Sequence, residues 1–267
     1  MDVQIMGIVN LTDDSYFADS RCLAAGGNVQ QTAANAVRRV RQLLDEGADI
    51  IDLGACSTRP GSEPVGAVEE WRRLEPALAA IREEFPEVRI SVDTYWSSVV
   101  RKTYELIGDF LANDISAGED DPEMLPTVGE LGLEYVAMHK RGDSKTMTSL
   151  CQYDDVTAAV LDYFHAFEEK ARANGIDRWI LDPGFGFAKT VEQNYQLLRE
   201  LDRFQIFHRP ILVGISRKSM IYRYFGITPE EALPATQVLH WYAKEKGAGI
   251  LRVHDVAEAA RTLALPI

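Results

Sequence analysis

The chain has 267 residues, with 28 Lys+Arg against 41 Asp+Glu and a formal net charge of −13. At 46% hydrophobic and 26% charged it has a globular composition, which excludes the apolar-poor signature of disorder, and no apolar run approaches the ~20 residues that span a bilayer. The acidic balance disfavours a nucleic-acid partner, whose phosphates require a basic stripe, so any phosphate site has to be local.

Short apolar runs alternate with longer segments of helical periodicity from the first residues onward. Ile5 to Asn10 reads as a buried strand, and Val29, Ala33, Val37, Val40 and Leu44 then step at helical spacing until Gly47. Further strands are predicted over Asp49 to Gly54, Arg89 to Thr94, Phe110 to Ser116, Glu134 to His139, Trp179 to Gly184, Ile211 to Ser216 and Ile250 to Asp255. Between them, Trp71, Leu74, Leu78, Ile81 and Phe85 form one helical stripe and Val156, Val160, Phe164, Phe167 and Ala171 another. Thr228, Pro229 and Glu231 match the N-cap, N1 and N3 positions of a capping box. Eight units of about 33 residues are what an α/β fold of the (β/α)8 TIM-barrel type needs, with residues 1–267 as a single domain; a doubly wound open sheet is the competing architecture.

Each predicted strand ends on a polar residue: Asn10, Asp52, Asp93, Asn113, His139, Asp182, Ser216 and His254. A single polar end is an ordinary turn former, but eight of them meeting on the C-terminal face of a barrel make a polar cup, where such barrels build their active sites. Ser216-Arg217-Lys218-Ser219 after the seventh strand and Arg252-Val253-His254-Asp255 at the eighth bring Lys218, Arg252 and His254 to the customary phosphate corner. Asp93 and Asp182 match the paired N–H edge of an aminopyrimidine, and Asn113 adds a donor and an acceptor. Asp182-Pro183-Gly184-Phe185-Gly186-Phe187-Ala188-Lys189-Thr190 lacks the glycines of a Walker loop; its glycines permit a sharp turn that presents Phe187 to a flat ligand, while a purely packing role for Phe185 or Phe187 is the alternative. Ser57-Thr58-Arg59-Pro60-Gly61 places an arginine on a turn-rich loop. The histidines have no zinc spacing, whereas Mg²⁺ needs only substrate phosphates, water and a side-chain oxygen such as that of Asn10. Three cysteines without C-x-x-C spacing and an N-terminus without a signal-peptide pattern predict a reduced, cytoplasmic protein.

Met6-Gly7-Ile8-Val9-Asn10-Leu11-Thr12, Ser57-Thr58-Arg59-Pro60-Gly61, Ser91-Val92-Asp93-Thr94, Asn113-Asp114-Ile115, Met138-His139, the Asp182 to Phe187 block, Ser216 to Ser219 and Arg252 to Asp255 resemble, in order and spacing, the blocks of the dihydropteroate synthase family. The resemblance implies a transferase of non-methyl alkyl or aryl groups in folate biosynthesis. It joins 6-hydroxymethyl-7,8-dihydropterin diphosphate to 4-aminobenzoate, releases diphosphate, and is the target of sulfonamides. By matching positions it implies that Asp93, Asn113, Met138, Asp182 and Lys218 hold the pterin. Asn10, Thr58, Arg252 and His254 would bind the diphosphate, with Asn10 on Mg²⁺, and Arg59, Phe187 and Ser219 would form the aminobenzoate side. Asp182, Lys218, Asp93, Arg252 and His254 would carry the catalysis, and the enzyme would be a homodimer.

Three positions depart from the family pattern. Thr12-Asp13-Asp14-Ser15-Tyr16 lacks the proline of the first loop, Cys56 stands where glutamate is usual, and Ala188 replaces a glycine. Two other functions share the fold: a pterin-dependent methyltransferase domain, which predicts no diphosphate corner, and a catalytically silent pterin-binding paralogue.

Overall fold

The computed structural model of the chain describes residues 3–12, 22, 29–56, 65–143 and 145–266. Eight strands alternate with helices along it: β1 (Gln4–Asn10), β2 (Ile50–Gly54), β3 (Arg89–Asp93), β4 (Leu111–Asp114), β5 (Glu134–Met138), β6 (Trp179–Asp182), β7 (Leu212–Val213) and β8 (Ile250–Val253). The sheet order is β6-β5-β4-β3-β2-β1-β8-β7, with every paired neighbour parallel. A parallel bridge between Leu181 and Ile211 joins the two ends, so the sheet closes on itself as the barrel expected from the alternation.

The helices described are α1 (Val29–Asp45), α2 (Ala67–Glu84), α3 (Ser97–Ile107), α4 (Met124–Leu131), α5 (Val156–Ala173), α6 (Val191–Arg199), α7 (Ser219–Phe225), α8 (Leu233–Glu245) and α9 (Val256–Leu263). Their predicted stripes face the sheet: Val156, Val160, Phe164, Phe167 and Ala171 of α5 are all buried, as are Leu74, Leu78 and Ile81 of α2. Local chemistry fixes the helix starts. Asp155 accepts from the backbone N–H of Thr157 and Ala158 ahead of α5, and Thr190 and Gln193 form a reciprocal capping box at α6. The predicted Thr228/Glu231 box is present, with Thr228 N–H donating to Glu231 at 2.9 Å, and it opens a short 3₁₀ turn (Glu230–Ala232) that runs into α8.

Strand alternation splits the core in two. Outward-facing residues pack against the helices, whereas Met6, Ile50, Leu111, Val136, Ile180, Leu212 and Ile250 form their own cluster inside the barrel. Two residues further along the same inward parity stand Ile8, Asp52, Asn113, Met138, Asp182 and Arg252, so the apolar layer is the floor beneath a polar one. Several strands are shorter than predicted at their C-terminal ends, because those residues leave the ladder to build the mouth. Asp114 ends β4 by accepting from the N–H groups of Ser116 and Gly118, and the stretch after β7 turns through Arg217 at a φ of +51°. Among the described residues no helix is long and apolar enough to cross a membrane.

Candidate active site

One cavity of about 550 Å³ opens at the C-terminal ends of the strands. It is lined by Asn10, Asp93, Asn113, Met138, Asp182, Phe187, Lys218, Ser219, Arg252 and His254, which are ten of the twelve residues singled out from the sequence. The other two, Thr58 and Arg59, lie outside the described residues, as do Asp13 and Tyr16 of the altered first loop. The ten come from the ends of β1, β3, β4, β5, β6 and β8, from the loop after β6 and from the turn into α7. No helix or strand alone brings together two carboxylates, an amide, a lysine and an arginine; barrel closure does.

The floor of the cup is a hydrogen-bonded carboxylate network. Asp52, fully buried, accepts from Ser91 Oγ at 2.6 Å, Asn113 Nδ2 at 3.2 Å and Arg252 Nε at 2.7 Å, while Arg252 Nη2 reaches Asp93 Oδ2 at 3.0 Å. Burial alone would lower the Arg252 pKa, but Asp52 and Asp93 outweigh it and hold the guanidinium above its ordinary value. Burial pushes Asp93 up to about 7, even with Arg252 pulling it down, so its proton is exchangeable near neutrality. Asp182 is likewise raised by burial, with Lys218 opposing, and its Oδ1 accepts from Gly184 N–H at 2.8 Å.

Lys218 bridges the two sides of the cup. Its Nζ donates to the Phe185 carbonyl at 2.5 Å and sits 4.8 Å from the centroid of the Phe187 ring, a cation–π contact. Burial lowers its pKa to about 8, with the Asp182 carboxylate opposing that fall. The two phenylalanines take different parts: Phe185 is fully buried in the core, and Phe187 is half-buried at the cavity. At the phosphate corner, His254 Nδ1 lies 3.1 Å from Ser216 Oγ, and burial followed by repulsion from Arg252 lowers the imidazole to about 3. His254 therefore enters this corner as a neutral imidazole. Arg217 also borders the cavity, with its guanidinium engaged in a buried pair with Asp255 at 2.8 Å and donating to the carbonyls of Pro229 and Glu230.

Cys56 lines the cavity with its Sγ 3.7 Å from Tyr95 Oη, and burial raises its pKa, which disfavours the thiolate a nucleophile needs. Ala188 adopts a φ of +50°, the left-handed conformation that a glycine takes without steric cost. Among the described residues no group of three His, Cys, Asp or Glu side chains is arranged to hold a metal. Asn10 instead brings an amide oxygen to the cavity at the end of β1. A hard cation sharing its shell with phosphate oxygens and water fits that donor.

The sequence reading left Asp52 and Ser91 off the candidate site, although both carry the signal that found Asp93: in β2 and β3, polar residues at the inward parity alternate with Ile51, Leu53, Ile90 and Val92. It also missed Met147, Thr148 and Cys151, which the loop between β5 and α5 brings to the cavity wall. That loop has no periodicity to read.

The chain matches the family described as pterin binding enzyme over residues 6–254. It is 39% identical over 261 residues to the dihydropteroate synthase of Escherichia coli K12, covering 97% of this chain and 89% of that one. A Clostridium difficile dihydropteroate synthase crystallised in the presence of pteroic acid superposes with a TM-score of 0.88 at 33% identity, covering 98% of this chain and 94% of that one. The Xanthomonas albilineans dihydropteroate synthase with 4-aminobenzoic acid superposes with a TM-score of 0.87 at 35% identity, covering 99% and 94%. A closed barrel whose one polar mouth gathers these residues, matched along almost its whole length, belongs to the dihydropteroate synthase family of pterin-binding enzymes.

Proposed function

We propose that the chain is a dihydropteroate synthase, a non-methyl alkyl/aryl transferase that condenses 6-hydroxymethyl-7,8-dihydropterin diphosphate with 4-aminobenzoate, giving 7,8-dihydropteroate and diphosphate. The observation that carries the reading is the convergence on one cavity of a carboxylate–amide floor, a cationic corner and an aromatic wall. Asp93, Asn113 and Asp182 present acceptors and a donor for the aminopyrimidine edge of a pterin. Met138 supplies an apolar contact to its ring, and Lys218 donates from the opposite wall.

Loss of diphosphate leaves positive charge on the pterin methylene. Asp182 favours that charge as a carboxylate in a water-poor cavity, and this term grows only as the C–O bond breaks. Arg252, His254 and Asn10 take the leaving group, Arg252 by charge and neutral His254 by N–H donation. The arylamine, held along Phe187 and Ser219 with Arg59 assigned to the same substrate by its motif, attacks the methylene carbon directly and loses its proton to solvent afterwards. No covalent enzyme intermediate is needed, and the catalysis is positioning and electrostatics. Mg²⁺ belongs to this reading: Asn10 and the substrate's diphosphate would hold it, and when bound it neutralises charge on the leaving oxygens. Asn10 and Thr58 complete the diphosphate side.

Two features extend the reading. Tyr224, Phe225 and Val238 on α7 and α8 are exposed apolar side chains, which supports a homodimer built across those helices. Cys22, Cys56 and Cys151 form no disulfide with one another, which supports a reducing, cytoplasmic setting. The corner formed by cationic Lys218 and Arg252 with neutral His254 favours the synthase over a methyltransferase domain, which has no diphosphate to hold. The test is mass-spectrometric detection of dihydropteroate from the two substrates and Mg²⁺; its absence with intact pterin binding would make the chain a silent pterin binder.

A further inference from the structure

Lys189 is nearly fully buried and has no part in the chemistry above. Its Nζ lies 2.8 Å from the Gly184 carbonyl, 3.0 Å from the Phe187 carbonyl and 3.0 Å from His139 Nδ1. A fourth contact, to the His139 carbonyl, is longer at 3.5 Å; an ammonium has three hydrogens for the three closer acceptors, whereas a neutral amine has two. The His139 imidazole is held neutral, its pKa lowered by burial first and then by Lys189 itself, so Nδ1 is available as an acceptor. His139 is fixed in turn by an edge contact with the Tyr163 ring at 4.9 Å. Burial draws the Lys189 pKa down to about 7, with the Asp182 charge opposing.

The two carbonyls are the ends of one turn, since Phe187 N–H also donates to the Gly184 carbonyl at 3.1 Å. Gly184 leaves no room for another arrangement. Its φ is +72°, and a Cβ there would fall 1.9 Å from the His139 carbonyl oxygen. The turn carries Phe187 into the cavity, and its opposite side receives Lys218.

We propose that Lys189 is a positioning residue: from behind the loop it ties residues 184–187 to the end of β5 and thereby sets the Phe187 wall against which the second substrate lies. Asp182, Asn113 and Asp93 are held by the strands; the pterin side meets the turn only through the Gly184 N–H bond to Asp182 and the Lys218 bond to the Phe185 carbonyl, so it depends on the tie less than the Phe187 wall does. The inference rests on the synthase reading for its kinetic arm.

The test compares wild type with Lys189→Met, which keeps the volume and removes the ammonium. The expected result is an aminobenzoate KM raised about tenfold or more, with kcat and the Kd for 6-hydroxymethylpterin each changed less than threefold. Amide exchange across residues 183–190 should quicken at least tenfold while β5 and β6 stay protected. Unchanged aminobenzoate KM and unchanged exchange, or an equal loss on both substrates, would overturn the proposal. If Lys189→Met does not fold, His139→Leu should raise the aminobenzoate KM about threefold and His139→Gln, which keeps an acceptor, should restore it; no change in either would also overturn it. A wild type without aminobenzoate-dependent turnover would sink the synthase reading instead, and amide exchange then decides the loop tie on its own.

Discussion

Arg252 on β8 and Asp52 on β2 meet across the floor of the barrel mouth, Nε to Oδ2 at 2.7 Å, with the aspartate fully shielded from water. The pair also fixes two pterin-facing groups, because Asp52 takes a hydrogen bond from Asn113 and Arg252 gives one to Asp93. Asp52 thus acts on the substrate only through its neighbours.

Asp52→Asn should therefore damage both stability and recognition. Removing one partner of a buried pair costs about 3–5 kcal/mol, and the loss here falls toward the lower end because Arg252 keeps Asp93 as a second partner. Urea denaturation should show a loss of that order, and calorimetry a pterin affinity lowered at least tenfold. Ser91→Ala, which removes only one hydrogen bond to the same carboxylate, should cost about 1 kcal/mol. Wild-type stability in Asp52→Asn would contradict the network.

Asp182→Asn tests the charge claim. The amide keeps the shape and the bond from Gly184 N–H but loses the carboxylate that favours the developing cation. Turnover should fall about 10²–10³-fold, the scale seen when one preorganised electrostatic partner is removed, while thermal melting stays near wild type. Full activity in this variant would reject the role.

Pterin affinity should be bell-shaped in pH. Asp93, at about 7, accepts from the pterin only once ionised, so binding should strengthen as pH rises through that value. Lys218, at about 8, donates fully only while protonated, so binding should weaken above it. Asp93→Asn should abolish the acid limb and Lys218→Met the alkaline one. A flat profile in wild type would contradict both assignments.

His240 gives a stability prediction away from the site. It is fully buried on α8, with neither ring nitrogen hydrogen-bonded among the described residues, and burial lowers its pKa to about 4. Its unfolded counterpart titrates at about 6.5. The unfolded chain therefore binds a proton that the folded one refuses: the contribution is fully present above pH 6.5 and is lost as pH falls toward 4, at up to about 1.4 kcal/mol per pH unit. His240→Leu should match or exceed wild-type stability at pH 7.5, with the gap widening in its favour at pH 5. A constant gap across that range would show that the imidazole does not titrate this way.

The barrel itself was legible in the sequence because it rests on periodicity. Eight apolar runs with polar ends and alternating helical stripes suffice to set the architecture, and the same alternation identified Asp93, Asn113 and Asp182. Asp52 escaped because it was read as one strand end among eight, although its parity places it in the same inner layer as Asn113. Lys189 escaped for another reason: its closest acceptors are two loop carbonyls and the imidazole of His139 just past β5, a set created only by the turn at Gly184. The neutral state of His254 is equally a product of enclosure, since a histidine between Val253 and Asp255, two residues after Arg252, carries no sign in sequence of how dry its surroundings are.

The most direct measurement is diphosphate release by the purified protein, given dihydropterin diphosphate and Mg²⁺, in paired reactions with and without 4-aminobenzoate. Release that depends on aminobenzoate and matches dihydropteroate formed mole for mole is the predicted result. Tight pterin binding with no aminobenzoate-dependent release would contradict the synthase account.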